Sequence, residues 1–156
     1  MTSHSESGPG CSPALCLRHE IVSWAFQVVA AAILLQTLFF KFTGAPESRF
    51  IFTTLGIEPW GRIGTGVAEL IAAGLLLYRP RSVFGGLMAS GLMAGAIFSH
   101  LTRLGIEVQG DGGLLFGLAV TVFGSGLIVA WLRRRLLPAW ILTRLGAIGG
   151  SPRRTA

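Results

Sequence analysis

The dominant pattern along the chain is four long apolar stretches separated by shorter polar segments. They cover residues 21–40, 63–78, 83–101 and 114–132, and the second becomes residues 61–78 when its glycine-rich start is included. A helix needs about 20 residues to cross the hydrocarbon layer of a bilayer. The pattern therefore predicts an all-α integral membrane protein, a four-helix bundle with up-down-up-down topology.

The composition agrees with a membrane protein that has no separate soluble domain. Of the 156 residues, 51% are hydrophobic and 13% are charged, whereas a soluble domain carries about 25% charged residues. Residues 1–20 are polar, and we expect a disordered cytoplasmic tail with a helical extension near Leu15. Residues 21–132 form the predicted transmembrane domain, and residues 133–156 form a basic cytoplasmic tail with a short interfacial helix.

The basic residues indicate the orientation of the bundle in the membrane. With both termini in the cytoplasm, nine basic residues lie inside and four lie outside, as the positive-inside rule favours. The net charge of +6 follows from this distribution, so we predict no nucleic-acid partner. The inner set is Arg18, Arg79, Arg81, Arg133, Arg134, Arg135, Arg144, Arg153 and Arg154, and the outer set is Lys41, Arg49, Arg62 and Arg103.

The longest predicted loop, residues 41–60, contains an apolar segment at residues 50–52. This segment is too apolar for a solvated loop and too short to span a bilayer. We expect an interfacial helix or a re-entrant segment that lies over the outer end of the bundle. Gly56 is suited to end that helix, and Pro59 is suited to the first turn of the next one.

Small and polar residues within the apolar stretches predict contacts between helices. Gln27 and Gln36 in the first stretch are expected to hydrogen-bond to neighbouring helices. Asp111 is placed to cap the fourth helix. Small residues at four-residue spacing let helix backbones approach closely. They are Gly85, Ala89, Gly91 and Gly95 in the third stretch and Gly117, Thr121 and Ser125 in the fourth.

The ionisable residues in and beside the apolar stretches fall at one end of the predicted bundle. Lys41 closes the first stretch, Arg62 opens the second, Glu69 lies inside the second, and His100 lies near the end of the third. Arg62 and Glu69 are seven residues apart and share a helix face, with Glu69 about 10 Å deeper. Charged groups in hydrocarbon are usually paired and often functional.

These four residues therefore predict a polar pocket that opens outward. In it Glu69 would accept a proton, His100 would be a hydrogen-bond partner, and Lys41 and Arg62 would tune the charge. The alternative is a structural ion pair that holds three helices together. No metal and no tightly bound cofactor are expected, because the outer side has too few His, Cys and carboxylate ligands and the chain has no nucleotide-binding fingerprint.

A series of short motifs runs through residues 21–132 in a fixed order. They are Lys41-Phe42-Thr43-Gly44, Leu55-Gly56-Ile57, Pro59-Trp60, Gly66-x-x-Glu69-Leu70, and Gly95-Ala96 followed by His100. In this order and spacing they resemble the DoxX-like family of small four-helix integral membrane proteins. The resemblance implies association with membrane oxidoreductases, including quinone-linked sulfur oxidation and quinol oxidase complexes, in the inner membrane of a prokaryote. It carries over Lys41, Glu69 and His100 as site residues, and geometry adds Arg62.

Three functions are compatible with these residues. The first is an accessory subunit of a quinone-linked oxidoreductase, whose pocket holds a quinone headgroup or relays protons. The second is a structural or assembly subunit of a larger membrane complex, without chemistry of its own. The third is a membrane protein that binds a small lipid or solute at the outer leaflet. No long outer domain is predicted, which argues against a self-sufficient thiosulfate-oxidising activity.

Overall fold

A computed structural model of the protein describes residues 13–134, with side chains from residue 17 onward. Within this range the chain forms five α-helices, four of them long and apolar enough to span a membrane. The prediction of an all-α membrane bundle is confirmed. The helices are α1 (Pro13–Thr43), α2 (Pro46–Thr54), α3 (Trp60–Leu77), α4 (Ser82–Ser99) and α5 (Leu114–Leu132).

The helix boundaries follow the local sequence signals closely. Gly56 comes soon after α2 and has a φ of +74°, a left-handed conformation that glycine adopts without steric cost. Pro59 immediately precedes α3. The turn between α3 and α4 is a single 3₁₀ turn at Arg79–Arg81.

The first helix begins earlier than the apolar pattern, at Pro13, so residues 13–20 belong to α1. The predicted helix in the C-terminal tail lies outside the described residues.

A wider helical turn follows α4. Residues His100–Leu104 form a π-helical turn, a feature that is frequent at functional sites. The turn ends at Gly105, whose φ of +82° and ψ of 171° are essentially restricted to glycine. The backbone therefore leaves the helical path at Gly105, five residues after His100.

The long helices form a closed ring of antiparallel neighbours. Helix α1 packs against α3, α3 against α4, α4 against α5, and α5 against α1. Helix α2 contacts α1, α3 and the π-helical turn, so it lies across one end of the bundle, named here the α2 end. The apolar core is Ala30, Ala31, Leu34, Ala72, Ala73, Leu76, Ala89, Met93, Ala119, Val122 and Val129.

Close approach of the helices depends on glycines toward the opposite end. A Cβ atom at Gly85 would overlap the backbone of α3 at Leu76. A Cβ atom at Gly86 would lie 2.6 Å from the carbonyl oxygen of Gly126 on α5. No side chain larger than hydrogen fits at these positions without moving a helix. The predicted packing role of small residues on α4 is thus confirmed at Gly85 and extends to Gly86.

Within the bundle the same prediction is wrong for Gly91, Gly95 and Gly117. A Cβ atom at any of the three would meet no atom of another described element within 4 Å. Four-residue spacing placed Gly91 and Gly95 on a packing face, but α4 presents them to open space instead. Thr121 is exposed as well, and its hydroxyl donates to the carbonyl oxygen of Gly117 within α5 at 2.8 Å.

The two glutamines of α1 also differ from prediction. The buried amide of Gln27 donates within its own helix, to the carbonyl oxygen of Ser23 at 3.0 Å and to its hydroxyl oxygen at 2.8 Å. Gln36 is exposed. The expected hydrogen bond from Gln27 to a neighbouring helix is therefore wrong, because a serine one turn earlier supplies a nearer acceptor.

Candidate functional site

A cavity of about 600 Å³ lies in the bundle at the α2 end. Side chains from all five helices line it, and most of them are apolar. Its volume is within the range of small-molecule sites, about 300–1,000 Å³. The polar members of its wall are Gln36, Thr37, Lys41, Glu47, Ser48, Thr65, Glu69, Ser99, His100 and Asp111.

The cavity exists because the helices are held close at one end and not at the other. Gly86 and Gly126 let α4 and α5 touch toward the opposite end. Gly91 and Gly95 line the cavity wall and leave it open, since neither carries a side chain. Helix α2 covers this end of the cavity with residues such as Phe52.

Lys41 and Glu69 form an ion pair that joins α1 to α3 in the cavity wall. The Glu69 side chain is 3% exposed and the Lys41 side chain is 16% exposed. The Thr37 hydroxyl lies 3.3 Å from the second carboxylate oxygen and 2.9 Å from the carbonyl oxygen of Leu34, and these two acceptors compete for its one proton. The Phe52 ring centroid lies 6.0 Å from the Lys41 ammonium. Each charge is compensated by the other, as burial in an apolar site requires.

Arg62 lies beside this pair and not in the cavity wall. Its Nε donates to Glu58 at 2.8 Å, and its Nη1 donates to the carbonyl oxygen of Lys41. The sequence placed Arg62 in the pocket, but Arg62 is not part of this cavity wall. Seven-residue spacing did place Arg62 and Glu69 on the buried side of α3, where they are 8% and 2% exposed. The guanidinium, however, finds a nearer carboxylate one turn back, at Glu58.

His100 enters the cavity wall from the start of the π-helical turn and is 5% exposed. Its Nδ1 lies 2.8 Å from the carbonyl oxygen of Gly105, and its ring packs edge-on against Phe116, with centroids 5.7 Å apart. No hydrogen bond joins His100 to Glu69 among residues 17–134. The two residues share the cavity but not a direct contact.

Asp111 fastens the loop before α5 next to His100. Its Oδ1 accepts from the backbone N–H groups of Val108 at 2.8 Å and Gly113 at 2.9 Å, and its Oδ2 accepts from that of Leu115 at 2.9 Å. The bond from Leu115 is the main cause that lowers the pKa of the Asp111 carboxyl, helped by the other two bonds and by nearby His100 against partial burial. The prediction that Asp111 caps the fourth helix is confirmed by the bond from Leu115 in the first turn of α5, although Gly113 occupies the N-cap position.

A second ionic cluster lies at the opposite end of the bundle, and the sequence pattern did not predict it. The Glu20 carboxylate accepts from Arg79 at 2.9 Å and from Arg133 at 3.0 Å. Arg133, 5% exposed, also donates to the Ser23 hydroxyl at 2.8 Å. The expectation that ionisable residues gather at one end is therefore wrong. Arg133 turns back toward the bundle because α1 begins early enough to present Glu20 and Ser23.

Three further residues of the main site were also missed. Thr37 lies one turn before Lys41 on α1, and this four-residue spacing was a usable signal. The Ser48 hydroxyl lines the cavity and is buried without a hydrogen-bond partner among the described residues. Nothing in the sequence indicates that α2 turns Ser48 inward, or that Gly105 holds His100.

The arrangement suits a ligand with an apolar body and polar oxygen atoms. Apolar walls would surround the body, while Lys41, Ser48, Glu69 and His100 offer hydrogen-bonding groups. Within residues 17–134 no group of three or more His, Cys, Asp or Glu residues could hold a metal ion. Comparisons of the chain with known protein families, with curated proteins and with solved structures found no match.

Proposed function

We propose that this protein is a DoxX-like accessory subunit of a quinone-linked membrane oxidoreductase, and that the cavity at the α2 end binds the quinone ring. One observation carries the proposal. The Lys41–Glu69 ion pair is buried in the wall of a largely apolar cavity of about 600 Å³. Burying a pair of charges in hydrocarbon costs free energy, and such pairs therefore often mark functional sites.

The residues present fit a quinone. The apolar wall suits the ring and the isoprenoid tail. The unpartnered Ser48 hydroxyl and the Lys41 ammonium can donate to ring oxygens, because a lysine has three N–H donors and Glu69 uses one in the described part of the chain. A bound quinone would supply two-electron transfer. Glu69 would take up or release a proton at its carboxylate, beside the ring.

The proposed orientation places the α2 end at the outer face of a prokaryotic inner membrane, with both termini in the cytoplasm. The distribution of basic residues supports it. Phe50 in the middle of α2 and Ile57 three residues after its end have exposed apolar side chains, which suits an interfacial position for this segment.

A comparison of two glutamate variants tests the proposal. The tagged protein would be purified from its native membrane in mild detergent, with mass spectrometry of co-purifying proteins and extracted quinones. Glu69→Gln should lose partner-dependent quinone reduction while the complex still assembles. Glu107→Gln is the matched control, because Glu107 is exposed and lies outside the cavity wall. Unchanged turnover in Glu69→Gln would contradict the proposal.

A structural role is the second candidate, and a different observation favours it. Lys41 binds Glu69 with its side chain and Arg62 with its carbonyl oxygen, so α1 is tied twice to α3. If this is the whole role, Glu69→Gln should lower the yield or melting temperature of the complex and leave the activity per complex unchanged. If the third candidate holds, the protein should carry a lipid or another small molecule and no quinone.

A further inference from the structure

The hydrogen bond to Gly105 determines that Nδ1 of the His100 ring carries a proton. A carbonyl oxygen only accepts hydrogen bonds, so Nδ1, 2.8 Å from the Gly105 oxygen, is the nitrogen that carries the hydrogen. The Gly105 N–H in turn donates to the carbonyl oxygen of His100 at 2.8 Å. The two bonds together hold the imidazole in one orientation, and its packing against Phe116 supports the ring from the side.

When the imidazole is neutral, the other ring nitrogen is a hydrogen-bond acceptor. In the neutral imidazole with hydrogen on Nδ1, Nε2 carries a lone pair and no proton. Nε2 makes no hydrogen bond to any residue in the described range, and His100 is part of the cavity wall. A ligand in the cavity can satisfy this acceptor only with an O–H or N–H group.

Two other polar residues of the cavity wall have a different character. Lys41 and Ser48, from α1 and α2, offer hydrogen-bond donors, and Ser48 has no partner among the described residues. A ring oxygen at that side can be a carbonyl or a hydroxyl, because both accept. The His100 side distinguishes them, since a carbonyl oxygen placed against the Nε2 lone pair would leave two acceptors facing each other. The carboxylates of Glu69 and Asp111 in the wall also accept, but both are already bonded to donors of the protein.

We infer that the cavity binds the hydroxyl-bearing, reduced form of its ligand in preference to the quinone, with a ring hydroxyl donating to Nε2 of His100. The inference rests on the proposed function, because it assumes that the ligand of this cavity is a quinone or quinol. Sites built to bind a hydroxyl group discriminate strongly against analogues that lack it. We expect a preference of about tenfold for the quinol.

Ligand binding to the wild-type protein tests the inference directly. The protein would be reconstituted in nanodiscs, and three ligands with the same decyl tail would be compared by anaerobic equilibrium dialysis, with empty nanodiscs as the partition blank. The ligands are a benzoquinone, its quinol and the quinol dimethyl ether, which keeps the ring but has no donor. The quinol should bind about tenfold more tightly than the other two.

Two histidine variants then assign the preference to a residue. His100→Phe keeps an aromatic ring against Phe116 and removes the acceptor, so the three ligands should bind within about twofold of one another. His19→Phe is the matched control and should behave as the wild type, because His19 is exposed at the opposite end. If His100→Phe does not fold, equal binding of quinone and quinol by the wild type would still overturn the inference.

The outcomes separate the inference from the function on which it rests. Equal binding of quinone and quinol by the wild type would overturn the inference and leave the quinone site standing. A preference that survives in His100→Phe would also overturn it. Saturable binding of none of the three ligands would overturn both.

Discussion

His100 and Gly105 hold each other through two hydrogen bonds, one from the histidine ring to the glycine carbonyl and one from the glycine N–H to the histidine carbonyl, each 2.8 Å long. The glycine takes a φ of +82° to close this pair. A residue that no motif singled out thus sets the orientation of a predicted site residue. The π-helical turn is the local structure that brings the two within reach.

Replacing Gly105 should weaken this arrangement. In Gly105→Ala the new side chain meets a backbone conformation that only glycine adopts freely, at a cost of about 1–3 kcal/mol. The melting temperature in detergent, followed by intrinsic fluorescence, should fall. Gly74→Ala is the control, since Gly74 lies inside α3 and a Cβ there would meet no other element of the described chain within 4 Å, and alanine favours a helix there. A melting temperature of Gly105→Ala equal to that of the wild type would disprove the strain.

Filling the cavity should remove its ligand without unfolding the bundle. Gly95 lines the cavity and has free space around it, so Gly95→Leu should place an isobutyl group in the cavity at little cost in stability. Quinone extracted with the purified protein should fall at least about tenfold, because a ligand of that size and the new side chain compete for one volume.

Gly117→Leu is the matched control for this substitution. Gly117 also lies in a spanning helix with free space, but outside the cavity wall. It should retain the wild-type quinone content and a similar melting temperature. Equal loss of quinone in both variants would mean that the cavity is not the binding site.

Asp111 should make stability depend on pH in the acid range. Its pKa is lower in the folded protein than the ordinary value of 3.8, so its three hydrogen bonds stabilise the fold fully above that value. This contribution is lost as the pH falls below 3.8 through the folded pKa. Asp111→Asn should therefore have a lower melting temperature than the wild type at pH 7, and the difference should shrink as the pH falls toward 3.

Glu107→Gln provides the comparison for the acid range. Glu107 lies in the same loop, exposed, and makes no ion pair within residues 17–134. Its variant should follow the wild-type melting curve across the whole pH range. A gap between Asp111→Asn and the wild type that stays constant from pH 7 to pH 3 would show that the charge of Asp111 does not contribute.

The sequence by itself determined the features that depend on near neighbours in the chain. The apolar stretches specify the four spanning helices, because each must satisfy its own backbone hydrogen bonds in hydrocarbon. Gly56, Pro59 and Asp111 mark helix ends through conformations and hydrogen bonds that reach only a few residues. The helix across one end of the bundle followed from the apolar segment at residues 50–52.

Only the tertiary structure decided which remote groups meet. Glu69 lies nearer to Lys41 than to Arg62, although its spacing from Arg62 along α3 looked more informative. Gly95 lines a cavity while Gly85 packs a helix, although both belong to one small-residue pattern. Such choices depend on how far apart two helices stand and how each is rotated. Those quantities are set by packing over the whole bundle, and no local pattern encodes them.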